Sequence, residues 1–81
     1  MRVRVKLFAV ARQRAGREMI DVEIPPAATA GQLRAAVIEQ WPALADVIPH
    51  VRLAVNNEYA LDTANITANA EIAIIPPVSG G

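Results

Sequence analysis

The residues best suited to do chemistry lie at the carboxyl end, Ile74-Ile75-Pro76-Pro77-Val78-Ser79-Gly80-Gly81. An apolar strand runs into two prolines, and two glycines close the sequence. Proline fixes φ and cannot donate to a sheet, so Pro76 should end the strand. A Pro-Pro step favours extended polyproline II and projects the residues after it away from the body. The six residues from Pro76 to Gly81 reach about 20 Å when extended. Gly80 and Gly81 carry no Cβ, so the tip is as thin as a peptide can be. Such a tip fits a narrow pocket on another protein.

With Gly81 as the terminus, the functional group there is its α-carboxylate, ionised near neutral pH and a poor electrophile. Attack on it requires activation, typically as an acyl adenylate made from ATP. A sulfur donor would then give a thiocarboxylate, and an amine would give an amide. The chain has no cysteine. A sulfur-carrying role therefore has only a terminal thiocarboxylate to use. The plain alternative is a frayed end with no role, and the stiff Pro76-Pro77 lead-in favours function. No second chemical constellation stands out. His50, the single histidine, follows Pro49 and has no Ser, Cys or carboxylate at triad spacing. It reads as structural or solvated, and no metal site is expected.

Eighty-one residues make one small domain, 1–81, with 76–81 as a projecting tail. The 53% apolar content is enough for a core, although only one Trp, one Tyr and one Phe contribute to it. The lack of cysteine fits a reducing compartment. No stretch approaches the ~18 apolar residues of a membrane span, and Met1 leads straight into a charged, alternating strand. A cytoplasmic protein without membrane contact is expected. Net charge is zero but lopsided: Arg2, Arg4, Lys6, Arg12, Arg14 and Arg17 precede the first acid, Glu18. That reads either as a solvated face or as a basic patch for an acidic partner. Scattered aromatics offer no stacking platform, so nucleic acid is not expected.

Periodicity gives the elements that must position the tail. Val3, Val5 and Leu7 alternate with Arg2, Arg4, Lys6 and Phe8, a half-buried strand. Phe8 thereby falls on the face of the basic residues. Val10 to Ala15 can make one or two helical turns that Gly16 ends. Met19 to Ile24 is a second strand, stopped by Pro25-Pro26, with Asp21 and Glu23 placed to face the cations of the first across a hairpin ladder. Thr29 and Gln32 have capping-box spacing. Leu33, Ala36, Val37, Gln40 and Trp41 then form one helical stripe with Gln40 its polar member, and Pro42 ends the helix. Trp41 reads as core cover. Ala43 to Ile48 is a short helical or turn-like link. Val51, Leu53 and Val55 mark a third strand, Asn56-Asn57 a turn of positive φ, and Tyr59 to Leu61 a short strand. A polar loop, Asp62 to Asn69, is pinned by Ile66, and Glu71 to Ile75 is the last strand.

One main helix over one sheet is a two-layer α+β fold. If the last strand pairs parallel with the first, the crossover is satisfied by the helix between them, and the arrangement is the β-grasp, or ubiquitin-like, fold with a mixed sheet. The helix covers one face. The other carries Arg4, Lys6, Phe8, Arg52, Ala73 and Ile75. Phe8 and Ile75 should lie close together there, with Tyr59 beside them, as an apolar cluster rimmed by cations. The root of the tail is adjacent. Scattered exposed apolar residues are also normal.

The ending Ile74–Gly81 resembles the carboxyl terminus of the MoaD family, the small sulfur-carrying subunits of molybdopterin synthase. Leu7-Phe8-Ala9 with Arg12 and Gly16 resembles that family's segment after its first strand, and Ala54-Val55-Asn56 with Tyr59 its third-strand segment. Two departures are Asn69-Ala70-Glu71, where the family usually has Gly-Asp, and Gln13, where an acid is common. The resemblance implies that a partner adenylyltransferase of the E1-like type activates Gly81 with ATP and that a sulfur donor makes the thiocarboxylate. The tail would then enter the large catalytic subunit of molybdopterin synthase and give sulfur to precursor Z (cyclic pyranopterin monophosphate), in a heterotetramer of two carriers and two large subunits. It implies Gly81, preceded by Gly80, as the reacting end. Phe8, Arg12, Tyr59, Ile75, Pro76, Pro77, Val78 and Ser79 become partner-binding residues, and the chain itself binds no cofactor. Neighbouring readings are a carrier for thiazole or another cofactor, a ubiquitin-like modifier joined to lysines through Gly81, and an interaction module with an idle tail. Lys6, the sole lysine, limits self-conjugation to one acceptor.

Overall fold

The computed structural model describes residues 1–76. In chain order the elements are β1 (Arg2–Leu7), α1 (Ala9–Ala15), β2 (Met19–Glu23), α2 (Ala30–Gln40), two short 3-10 turns (Pro42–Leu44 and Ile48–His50), β3 (Arg52–Val55), β4 (Glu58–Ala60) and β5 (Glu71–Ile75). They build one five-stranded sheet in the order β2-β1-β5-β3-β4. β1 and β5 run parallel at its centre, with Val5 opposite Ile72 and Leu7 opposite Ile74. The other pairs are antiparallel. This is the β-grasp arrangement, and it depends on the parallel central pair that the alternation alone leaves conditional.

Alternation in β1, burial running exposed-buried throughout, puts Val3, Val5 and Leu7 under α2. Ile20, Val22, Leu53, Ile72 and Ile74 join them from the neighbouring strands. From α2, Ala30, Leu33 and Val37 are buried, with Ala36, Ile38 and Trp41 packed around them. Leu44, Val47, Ile48 and Ile66 close the core from the irregular segments. Val55, expected inside, is only half-buried near the end of its strand.

The cap of α2 is built as the sequence spacing requires. Gln32 N–H donates to Thr29 Oγ1 at 3.2 Å, and Thr29 N–H donates to Gln32 Oε1 at 2.8 Å. Gly31 allows the loop 61–66 to come close: a Cβ there would meet the Asp62 carbonyl oxygen at 3.3 Å. Gly31 N–H donates to that oxygen at 2.9 Å, and Ile66 N–H donates to the Ala28 carbonyl at 2.8 Å. Arg34, outside the apolar stripe, joins Asp62 at 2.9 Å and the Ile48 carbonyl at 2.7 Å. It thereby ties the helix to both connecting segments.

Gln40, the polar member of the helical stripe, turns to the sheet edge. Its side chain is exposed and bonds the backbone of Glu23 on the outer edge of β2, while Trp41 Nε1 donates to the Asp21 carbonyl at 3.2 Å. β2 is an edge strand, and these two side chains occupy backbone groups that would otherwise invite another strand. Trp41 also packs against the core, with the Arg17 guanidinium 5.3 Å from its ring centroid.

Candidate functional site

The uncovered face of the sheet changes character along β1. At the start of the strand it is ionic: Arg2 Nε lies 2.9 Å from Glu23 Oε1, and Arg4 Nε 3.7 Å from Asp21 Oδ1. These are the hairpin-ladder pairs that the sequence places opposite each other. Towards the end of β1 the face becomes apolar. Met19, Lys6, Ala73, Ala54 and Tyr59 succeed one another across the five strands in register. Lys6 faces Met19, not an acid.

One residue pair further along, Ile75 stands opposite Arg52. Phe8 comes after Leu7, the partner of Ile74, so it is level with Ile75. Phe8, Tyr59, Ile75, Ala54 and Ala73 line one shallow concavity. Phe8 is 39% exposed and Tyr59 63%, whereas Ala54 is 9% exposed and forms part of the floor. The predicted apolar cluster is therefore assembled by the fold, and Pro76 comes directly after Ile75 at its margin. Pro77, Val78, Ser79, Gly80 and Gly81, the rest of the expected tail, lie outside the described residues.

Arg12, expected among the partner-binding residues, sits on α1, with one guanidinium nitrogen 3.2 Å from Glu18 Oε1. The early run of cations is also largely paired within the chain, through Arg2–Glu23, Arg4–Asp21, Arg12–Glu18 and Arg14–Asp46. Among the described residues Lys6 and Arg52 form no ion pair. Instead each lies against an aromatic ring: Lys6 Nζ is 5.6 Å from the Phe8 centroid, and the Arg52 guanidinium is 5.1 Å from that of Tyr59. Both distances are within cation–π range.

Met19 and Ala54 are not singled out as site residues by the sequence, although the signal is present. Each alternates with an inward neighbour, Ile20 and Leu53, and the strand register makes them neighbours of Lys6 and Tyr59. Among the described residues no charged or polar side chain is buried, no cluster of His, Cys, Asp and Glu could hold a metal ion, and no helix is long and apolar enough to cross a membrane.

The ThiS family model matches residues 5–81. The chain belongs to the ThiS family. It is similar to the molybdopterin synthase sulfur carrier subunit of Arabidopsis thaliana, 37% identical over 98% of this chain and 82% of that protein. The protein of the same name from Caenorhabditis briggsae is 38% identical over 98% of this chain and 96% of its own length. Small archaeal modifier protein 1 of Haloferax volcanii is 32% identical over 94% of this chain and 97% of its own. The crystal structure of SAMP1 from that organism superposes with a TM-score of 0.87 over the whole of both chains at 30% identity.

The departure at Asn69 noted in the sequence has a simple structural account. Asn69 adopts φ +64°, in a turn closed by Ala70 N–H donating to the Thr67 carbonyl at 3.2 Å. Asn is the side-chain-bearing residue that best tolerates this left-handed region. It keeps the geometry that Gly would provide, and β5 begins on register. Asn56 and Asn57, at φ +52° and +69°, make the two-residue turn between β3 and β4 that points Tyr59 onto the open face.

Proposed function

We propose that this chain is a sulfur carrier in molybdenum cofactor assembly. In this reading a partner adenylyltransferase activates the Gly81 carboxylate with ATP, a sulfur donor displaces AMP to leave a thiocarboxylate, and the tail carries that sulfur into the large catalytic subunit of molybdopterin synthase. There it is given to precursor Z. The observation that supports the proposal is the apolar concavity of the open face: Phe8, Tyr59 and Ile75 line it, and Ile75 leads directly into Pro76. A partner seated on that face lies beside Ile75 and Pro76, from which the sequence continues to Gly81. The names of the plant and nematode relatives support the same reading.

The division of labour is chemical. This chain supplies a surface and a terminal acyl group, while acids, bases and the nucleotide site belong to the partners. The test is a reconstituted assay with the thiocarboxylated chain, the large subunit and precursor Z. Molybdopterin should form in proportion to the thiocarboxylate supplied, and a chain lacking Gly81 should give none. Turnover by the truncated chain would overturn the proposal.

A second reading, a protein modifier joined through Gly81 to lysines, is favoured by the likeness to small archaeal modifier protein 1. It predicts covalent conjugates of this chain on cellular proteins, which the carrier reading does not require.

A further inference from the structure

Resting on the carrier reading, we propose that the partner meets this face with one bulky apolar side chain flanked by two carboxylates. The apolar side chain sits over Ala54 and Ala73. One carboxylate meets Lys6 and the other Arg52.

The floor of the concavity is made of the two smallest side chains on the face. Ala54 and Ala73 are opposite each other on β3 and β5, the middle of the row running from Lys6 to Tyr59. Phe8 and Ile75 stand on one side of this low point and Tyr59 on another. A flat partner would leave a void there, and a void forfeits dispersion contacts along its whole lining. An aliphatic or aromatic side chain fills it.

The charges fix the groups that flank that side chain. Four cationic side chains among the first seventeen residues already have carboxylate partners. Lys6 and Arg52 are the cations next to the apolar floor, and among the described residues neither has one. Their ring contacts hold the charged heads at the borders of the patch, Lys6 by Phe8 and Arg52 by Tyr59. Docking a purely apolar surface would strip water from both cations without compensation. Carboxylates opposite them remove that penalty and steer the encounter. β1 and β3 are two strands apart, and Lys6 and Arg52 lie one same-face position apart along them. At about 4.8 Å between strands and about 3.3 Å per residue, the backbone positions of Lys6 and Arg52 are roughly 12 Å apart, which sets the scale for the spacing of the two acids. Aspartate or glutamate side chains on one partner surface can span this.

The test uses the large subunit of molybdopterin synthase from the same organism as probe, with affinity measured by calorimetry from about 50 mM to 1 M salt. Lys6→Gln and Arg52→Gln should each weaken binding about two- to fivefold at low salt, with the loss fading at high salt. Arg14→Gln, which pairs with Asp46 and does not line the concavity, should change nothing. Ala73→Leu should weaken binding at least tenfold at every salt concentration, with the thermal melt confirming a folded chain. Unaltered affinity in Lys6→Gln and Arg52→Gln, or tight binding by Ala73→Leu, overturns the inference while the carrier reading stands. No binding by the wild-type chain overturns both.

Discussion

The side-chain amide of Gln40 forms a two-bond ring with the backbone of Glu23. Glu23 N–H donates to Gln40 Oε1 at 2.9 Å, and Gln40 Nε2 donates to the Glu23 carbonyl at 2.7 Å. A primary amide presents the same donor and acceptor as a passing peptide group. Gln40 thus stands in for the next strand on the exposed side of β2. Gln40→Leu extends the apolar stripe of α2 but removes both bonds, and it should cost about 1–2 kcal/mol in a urea titration. A gain in stability would show that Gln40 belongs to the stripe and not to the sheet edge.

Phe8 occupies the last outward position of the β1 alternation and is not a core residue. Phe8→Ala should leave the thermal midpoint within a few degrees. It should weaken docking to the large subunit by roughly ten- to thirtyfold, the scale of a buried aromatic anchor in an interface. Leu33→Ala is the contrast, because a fully buried leucine should cost about 2–5 kcal/mol of stability. A Phe8→Ala chain that melts like Leu33→Ala, with docking intact, would place Phe8 in the core.

Backbone strain offers a separate check. Ala27 has φ +62° in the turn closed by Ala28 N–H donating to the Pro25 carbonyl at 3.2 Å. A left-handed alanine costs about 1–2 kcal/mol, and glycine removes that cost at some expense in unfolded-chain entropy. Ala27→Gly should therefore stabilise the domain by about 0.5–1 kcal/mol, a rise of several degrees in Tm. Ala36→Gly, inside α2, should destabilise by about as much. Equal losses from both would mean that Ala27 is not strained.

Asp46 tests the pairing of the early cations. The hydrogen bond from Arg14, 2.7 Å to Asp46 Oδ2, holds its carboxyl below the ordinary aspartate range. A depressed folded pKa contributes stability above the unfolded value of about 3.9 and loses it as pH falls through the folded value. Arg14→Gln should raise the Asp46 midpoint in an NMR titration. The stability gap between the two chains should close in acid, not at neutral pH. An unmoved midpoint would mean that the pair is absent in solution.

Much of this architecture is legible in the sequence because its determinants are local. The two-residue period of Val3, Val5 and Leu7, the Thr29–Gln32 capping box and the paired asparagines at 56 and 57 each specify geometry within a few residues. The outward set on β1 and β5 comes from the same alternation, which is why Phe8 and Ile75 can be placed together from the sequence alone. The partners of Gln40 and Arg34 are not legible, since their acceptors lie on segments brought near only by folding. The same holds for Arg12–Glu18 and Arg14–Asp46, which turn an apparently basic stretch into a mostly neutralised one. The close approach of the Asp62 carbonyl to Gly31 is likewise a contact between distant segments.

The carrier chemistry centres on an acyl group at Gly81, and mass reads it directly. The protein should be isolated intact from a host that contains its partner enzymes and its mass measured, together with the mass of its carboxyl-terminal peptide. A sulfur carrier gives a species heavier by the difference between sulfur and oxygen, with the change confined to that peptide. An unmodified mass that persists when ATP, the activating enzyme and a sulfur donor are all supplied would contradict this function.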